Sequence, residues 1–348
     1  MKAPDEKQAV DTVRELITDL FGGPLVQIRH VGDRERFDYN ISIDGLRFVA
    51  EYKTHASTAA VSAAIDGLKN IVEGRSDVVP LLVVPYMGEV GRQLCNEATV
   101  SWIDLSGNAK IVVPGVRIWI EGRPNKFIER GRPPNVFAPK SSRIARQLLL
   151  QPFSYQLQAE LARETKLGDG YVSKIVRRLR KEGYVDQDEQ GAVRPRDPNL
   201  LLDGWHEVYD FSRHRIIRGH VAARTGEELL RKLVGKLEQR KVMYAATGLS
   251  AAWLYCNFAA FRLASIYLSS MPTKKLLREI EFNEEPRGAN VWLILPDDDG
   301  VFHGCNEQAE VRCVSPLQTY LDLKGHPERA KDAAVELRRE HLSWGSHD

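Results

Sequence analysis

The sequence predicts a multidomain α/β protein, and three observations carry that prediction. Helical periods alternate with strand patterns over the first 120 residues or so. Three short helical patterns followed by two short strands occupy the middle, and helices alternate again with apolar strand segments towards the C-terminus.

The elements follow in order. Val10, Val13, Leu16, Ile17 and Leu20 recur at helical spacing and stop at Gly22-Gly23-Pro24. Leu25 to Val31, Phe37 to Ile43 and Leu46 to Lys53 read as strands, the last two joined by a two-residue turn at Asp44-Gly45. A helix from Thr58 to Val72, a buried strand from Val78 to Val84 and a helix near Val90 to Glu97 come next. Strands are expected around Val100 to Asp104, Ala109 to Val113 and Arg117 to Glu121. Residues 124–140 are proline-rich and without period, which marks a linker after a first domain at 1–123. Helical patterns at Ser141 to Leu150, Tyr155 to Thr165 and Gly170 to Gly183, then two short strands, define a domain at 141–198. The rest, 199–348, holds a helix at Thr225 to Gln239, a strand at Val291 to Leu295 and a charged helix at Ala330 to His341.

With 43% hydrophobic and 28% charged residues the composition is that of a folded globular chain. No apolar run reaches the ~18 residues of a membrane-spanning helix. Acidic residues stand near the N-terminus where a secretory signal would be apolar, so a cytoplasmic location and no membrane partner are expected. Cys95, Cys256, Cys305 and Cys313 are scattered and form no Cys-x-x-Cys pair, so neither a disulfide framework nor a zinc ribbon is indicated, and reduced, mostly buried thiols are expected. His303, Cys305 and Cys313 lack a fourth ligand at recognisable spacing, and no zinc is assigned to them. The net charge is only +2, but residues 138–196 hold twelve Lys and Arg against seven Asp and Glu. The basic part of the chain is its middle.

That basic segment is patterned for nucleic acid. In the third helix Val172, Ile175, Val176 and Leu179 form one apolar stripe, so Tyr171, Ser173, Lys174, Arg177, Arg178 and Lys181 project from the other faces. Gly168 is expected to make the tight turn before it, and Arg194 and Arg196 to end a wing turned at Asp188 to Gly191. The order resembles the winged helix modules of bacterial regulators, which implies double-stranded DNA as the partner and these eight side chains as its contacts. A charged helix alone is more often a solvated surface, and winged helices also bind proteins; three helices, turn and wing in order favour DNA.

A second constellation lies in the first hairpin. The strand LRFVAEYK places Glu51 and Lys53 on one face, and equal spacing about Asp44-Gly45 sets Asp38 opposite Glu51. Two carboxylates beside an ammonium suit Mg²⁺ and phosphodiester hydrolysis, although alternating charges on a strand's wet face are common. Residues 8–120 resemble the PD-(D/E)XK nucleases in element order. That resemblance implies a restriction-endonuclease-like domain with Asp38 and Glu51 as metal ligands, Lys53 as catalytic lysine and Mg²⁺ as cofactor. Phe37 stands where the motif often has proline, and Glu15 on the first helix is more simply an exposed glutamate.

In the C-terminal part, VMYAATGLSAAWLYCNFAAFRLASIYLS and SPLQTYLDLKGHPERAKDAAVELRREHL resemble AbiEi-type regulators, the winged helix antitoxins and repressors of type IV toxin-antitoxin systems. The resemblance implies a nucleotidyltransferase-like α/β domain, a toxin or other protein partner and a homodimer. Gly248 and Ser250 would face phosphates in such a fold, but no Asp or Glu occurs from Gln239 through Arg278 to hold magnesium. Trp253, Leu254, Tyr255 and Phe258 are expected to fill an apolar core instead. Two functions follow: a DNA-binding repressor or antitoxin-like regulator with a nuclease-like domain, and a Mg²⁺-dependent DNA endonuclease directed to DNA by the same module. A scaffold that binds only protein is the third.

Overall fold

The computed structural model describes residues 4–22, 26–30, 38–43, 45–113, 115–127, 135–258, 260–327 and 329–345. Gly23, Pro24, Leu25, Val31, Phe37 and Asp44, all used in the sequence reading, lie outside them, as does 128–134 of the expected linker. The chain is a mixed α/β protein that divides into two compact units, residues 1–135 with 179–184 and residues 136–178 with 185–348. Among the described residues no helix is long and apolar enough to cross a membrane.

The first unit opens with helix α1 (Glu6–Phe21), capped by Asp5, whose carboxylate accepts the Gln8 N–H. Strands β1 (Gln27–His30), β2 (Tyr39–Ile43) and β3 (Leu46–Tyr52) form the meander, with Gly45 at φ +78° in the turn. Then come α2 (Thr58–Val72), β4 (Val79–Val84), α3 (Glu89–Ala98), β5 (Ser101–Asp104), β6 (Ala109–Val113) and β7 (Val116–Ile120). One sheet takes all seven strands in sequence order, parallel only at β3/β4 and β4/β5, where a helix makes the crossover.

Alternation along the strands separates two cores. Ala9, Val13 and Ile17 of α1 pack on Tyr39, Ile41, Phe48, Ala50 and Tyr52, while α2 and α3 cover Val49, Leu82, Val84 and Trp102 on the opposite face. Side chains in register with Val49 therefore turn towards α2. Asp104, fully buried at the end of β5, accepts from Met87 N, Asn108 N and Asn108 Nδ2, which makes it a structural acid.

The second unit begins with α4 (Ser142–Leu150), α5 (Gln158–Thr165) and α6 (Asp169–Lys181), whose last three residues group with the first unit, followed by a two-stranded antiparallel ribbon of β8 (Val185–Gln187) and β9 (Val193–Pro195). The helix expected to start at Tyr155 starts at Gln158. Gln156 pairs with Val193 through both backbone hydrogen bonds, 3.0 and 2.9 Å, and adds a third rung to the ribbon. The left-handed residue of the turn between α5 and α6 is Lys166 at φ +55°, not Gly168, whose carbonyl instead accepts the Tyr171 and Val172 N–H groups that open α6.

Helix α7 (Pro198–Val208), with Asp197 as N-cap and proline in its first turn, leads into the remaining sheet. The elements from there on are β10 (Arg215–His220), α8 (Gly226–Gln239), β11 (Tyr244–Thr247), α9 (Gly248–Cys256), β12 (Ala264–Leu268), α10 (Lys274–Glu279), β13 (Asn283–Glu284), β14 (Val291–Leu295), β15 (Asn306–Gln308), β16 (Val311–Cys313), α11 (Pro316–Leu323) and α12 (Ala330–His341), and the strands form one sheet. Its strand order is β13-β10-β14-β12-β11-β16-β15, with β12/β14 and β11/β16 parallel. The core around α9 is Leu249, Ala251 and Ala252. Of the aromatics expected there, Trp253 and Tyr255 are half-buried, as is Leu254, while Phe258 is 36% exposed, with the Arg329 guanidinium 5.3 Å over its ring.

Candidate nucleic-acid interface and carboxylate–lysine cluster

Helix α6 sorts its side chains by face. Val172, Ile175, Val176 and Leu179 are all at most 2% exposed, and Lys174, Arg177 and Lys181, at spacings of three and four on the opposite side, are exposed. Tyr171, Ser173 and Arg178 are half-buried at the flanks. The Tyr171 hydroxyl lies 2.8 Å from Ser141 Oγ and its ring lies 5.6 Å from Lys140 Nζ, so it braces the start of α6 against the start of α4. On the ribbon, Arg194 stacks 4.6 Å over Tyr155 and Arg196 pairs with Asp186 at 2.9 Å, both partly solvated. Asp188 Oδ1 accepts the Gln190 and Ala192 N–H groups, and Gly191 at φ +85° completes the turn.

Two of the twelve basic residues counted in this segment turn inward, which corrects the charge reading. Arg143 makes a bidentate pair with Asp298 at 2.7 and 2.9 Å. Asp298 also accepts the Gly300 N–H at 2.7 Å. Arg146 is fully buried: its Nη2 donates to Gln318 Oε1 at 2.5 Å, and its guanidinium sits 5.0 Å over Trp205. Burial lowers its proton affinity. Gln147 closes the row, bonded to His303 at 2.7 Å and Gln156 at 2.9 Å. Helix α4 is thus fastened along its length to the sheet-bearing part of the same unit.

Gln318 passes that fastening to a buried acid. Asp322 accepts from Tyr209 OH at 2.5 Å, Thr247 Oγ1 at 2.5 Å, Gln318 Nε2 at 2.6 Å and Tyr267 OH at 3.1 Å. His214 Nδ1 accepts the Asp297 N–H at 3.1 Å, which leaves Nε2 to donate to Tyr209 OH at 2.9 Å. Burial lowers the His214 pKa, consistent with a neutral ring. The acid-free stretch around Gly248 therefore does gain a carboxylate, delivered from α11, but one enclosed by donors.

The Gly248-Ser250 turn is closed as well. Gly248 has φ +57° and the His326 ring occupies the space a Cβ would need. Ser250 is fully buried, donating to Thr247 O at 2.8 Å and accepting the Ser265 N–H at 3.2 Å. Incubation with Mg²⁺ and labelled nucleotides is expected to give no incorporation into protein or RNA, in the wild type and in Ser250→Ala alike; incorporation lost in Ser250→Ala would contradict this.

In the first unit β2 and β3 pair Tyr39 with Ala50, and the Asp38 N–H donates to Ala50 O at 3.1 Å, so Asp38 and Glu51 sit opposite each other as the turn spacing requires. Both belong to the α2 face. Glu51, 12% exposed, forms an ion pair with Lys53, 37% exposed, and its Oε2 approaches Gly67 of α2. Asp38 Oδ2 accepts the Tyr52 N–H at 2.7 Å, while the Tyr52 ring turns to the other core and its hydroxyl donates to Pro4 O at 2.8 Å. Burial raises the Glu51 pKa, Lys53 opposes the rise, and the Asp38 charge adds to it. Glu15 is exposed on α1, the helix covering the opposite face.

Comparison of the chain with protein-family models, with curated proteins and with solved structures finds no match.

Proposed function

We propose that this protein is a cytoplasmic DNA-binding transcription regulator, repressor or antitoxin-like, in which residues 141–198 act as a winged helix-turn-helix on double-stranded DNA. The observation that carries this reading is α6: a buried apolar stripe backed by exposed Lys174, Arg177 and Lys181, with Arg194 and Arg196 at the end of the ribbon that follows it. The sheet-bearing remainder of the second unit, AbiEi-like in this reading, serves a protein partner such as a toxin or a second copy. Residues 1–123 are a PD-(D/E)XK nuclease-like domain. The full chain titrated against a fluorescent duplex at low salt tests the reading directly. Saturable binding is expected, and its absence overturns the proposal.

A second reading, a Mg²⁺-dependent endonuclease, is favoured by one observation: Asp38, Glu51 and Lys53 share the end of one sheet face. The donor set fits Mg²⁺, since both acids offer carboxylate oxygens and a cation would relieve the charge repulsion and burial that raise Glu51. Asp38 and Glu51 would hold the ion, which supplies Lewis acidity towards a phosphodiester. Lys53 would orient the attacking water. On this reading supercoiled plasmid is nicked in Mg²⁺, protected by EDTA, and left intact by Lys53→Ala. Plasmid that stays supercoiled with Mg²⁺ and with Mn²⁺ removes the endonuclease and leaves the regulator.

A further inference from the structure

Helix α9 ends on Cys256 and α12 ends on His341, and the two helices pack against each other. Their ends bring together three donor types. Cys256 Sγ, a Glu340 carboxylate oxygen and a His341 ring nitrogen all lie within 4.8 Å of one another, the cysteine half-buried and the other two exposed. Among the described residues no other group of His, Cys, Asp and Glu converges in this way. The His341 ring stands edge-on to Tyr255, with centroids 5.4 Å apart, which orients it. Arg339 contacts Glu340 at 3.0 Å but holds Glu336 through two nitrogens at 2.5 and 3.2 Å, so Glu340 can turn to a cation without leaving the guanidinium unpaired.

We propose that Cys256, Glu340 and His341 bind one divalent ion of the zinc class, with water in the fourth position. The proposal stands apart from the DNA reading. The mixed sulfur, nitrogen and oxygen set selects a borderline ion, because Mg²⁺ and Ca²⁺ take oxygen alone and Cu⁺ prefers thiolates and thioethers. Tetrahedral Zn²⁺ separates its ligand atoms by about 3.3–3.8 Å, so the three side chains close by roughly an ångström, a shift within rotamer freedom at two helix ends. Without an ion the thiol is hydrogen-bonded to Glu340, and burial first, then that carboxylate, push its pKa up to about 12. Binding releases the thiol proton to solvent, and the thiolate and carboxylate balance the two positive charges. The ion would staple the end of α9 to the C-terminal helix.

Cobalt titration of the full chain, stripped of metal beforehand, tests the site. One Co²⁺ per chain is expected, with a sulfur-to-cobalt charge-transfer band and the visible bands of four-coordinate cobalt. The charge-transfer band should vanish in Cys256→Ser and persist in Cys305→Ser, a half-buried thiol outside the cluster. His341→Ala, exposed and at a helix end, keeps the fold testable whatever Cys256→Ser does, and should weaken binding by about tenfold or more. A wild type without the band, a band that survives Cys256→Ser, or unchanged affinity in His341→Ala would each overturn the proposal.

Discussion

Asp322→Ala is expected to destabilise the second unit by about 3–5 kcal/mol, because Tyr209, Thr247 and Gln318 would be left as buried donors without their acceptor. For a unit of this size that is a fall of roughly 10 °C in its melting transition. Tyr209→Phe removes a hydroxyl that donates to Asp322 and accepts from His214 and Gln318, and should cost about 2–3 kcal/mol. The pH dependence has a definite sign. Burial raises the Asp322 pKa in the folded chain, so between the ordinary carboxylate range near 4 and the raised value the folded state binds more protons. Stability from this group is complete below that range and falls as pH rises through the folded value. Asp322→Asn should flatten that slope. Thermal melts of the three variants between acid and neutral pH check these values, and an Asp322→Ala melt unchanged from wild type would show that the network carries no stability.

Replacing Lys174 and Arg177 together by alanine is expected to weaken duplex binding by about 10- to 100-fold. Both are exposed and lie off the apolar stripe, so the fold should survive. Each hydrogen bond from a cation to a phosphate is worth roughly 1.5–3 kcal/mol before solvent screens it. The loss should be nearly the same for every duplex sequence, since phosphate contacts position the protein without reading bases. Ser173→Ala, at the flank of the same face, should instead change the ranking among duplexes more than the average affinity. A competition assay across several duplexes separates the two effects.

What the sequence shows and what it hides divide along contact range. Helix α2 runs over the predicted Thr58–Val72, and the hairpin pairs Tyr39 with Ala50 as the turn spacing requires, because periodicity and short turns are local properties. The apolar stripe of α6 is buried for the same reason. The roles of Arg143, Arg146 and Gln147 were hidden: their partners Asp298, Gln318 and His303 lie 155, 172 and 156 residues away, and a charge count cannot separate an inward arginine from an outward one. A weak signal existed, since Arg146 lies between Ala145 and the Leu148-Leu149-Leu150 run, both part of an apolar helix face. The convergence of Asp322 on Thr247 and of Cys256 on Glu340 and His341 is long-range too. The left-handed position of the turn falls on Lys166 and not on Gly168, because Lys166 is the C-cap of α5 and its N–H turns back to the Ala162 and Arg163 carbonyls.

If α6 places cations on DNA phosphates, duplex affinity must depend on salt in a way that Lys174 and Arg177 set. The logarithm of the wild-type binding constant is expected to fall linearly with the logarithm of salt concentration, by about 0.9 for each phosphate contacted. The Lys174→Ala, Arg177→Ala double variant should then show a slope shallower by up to about 1.8. Wild-type and variant lines of equal slope and equal affinity would contradict it.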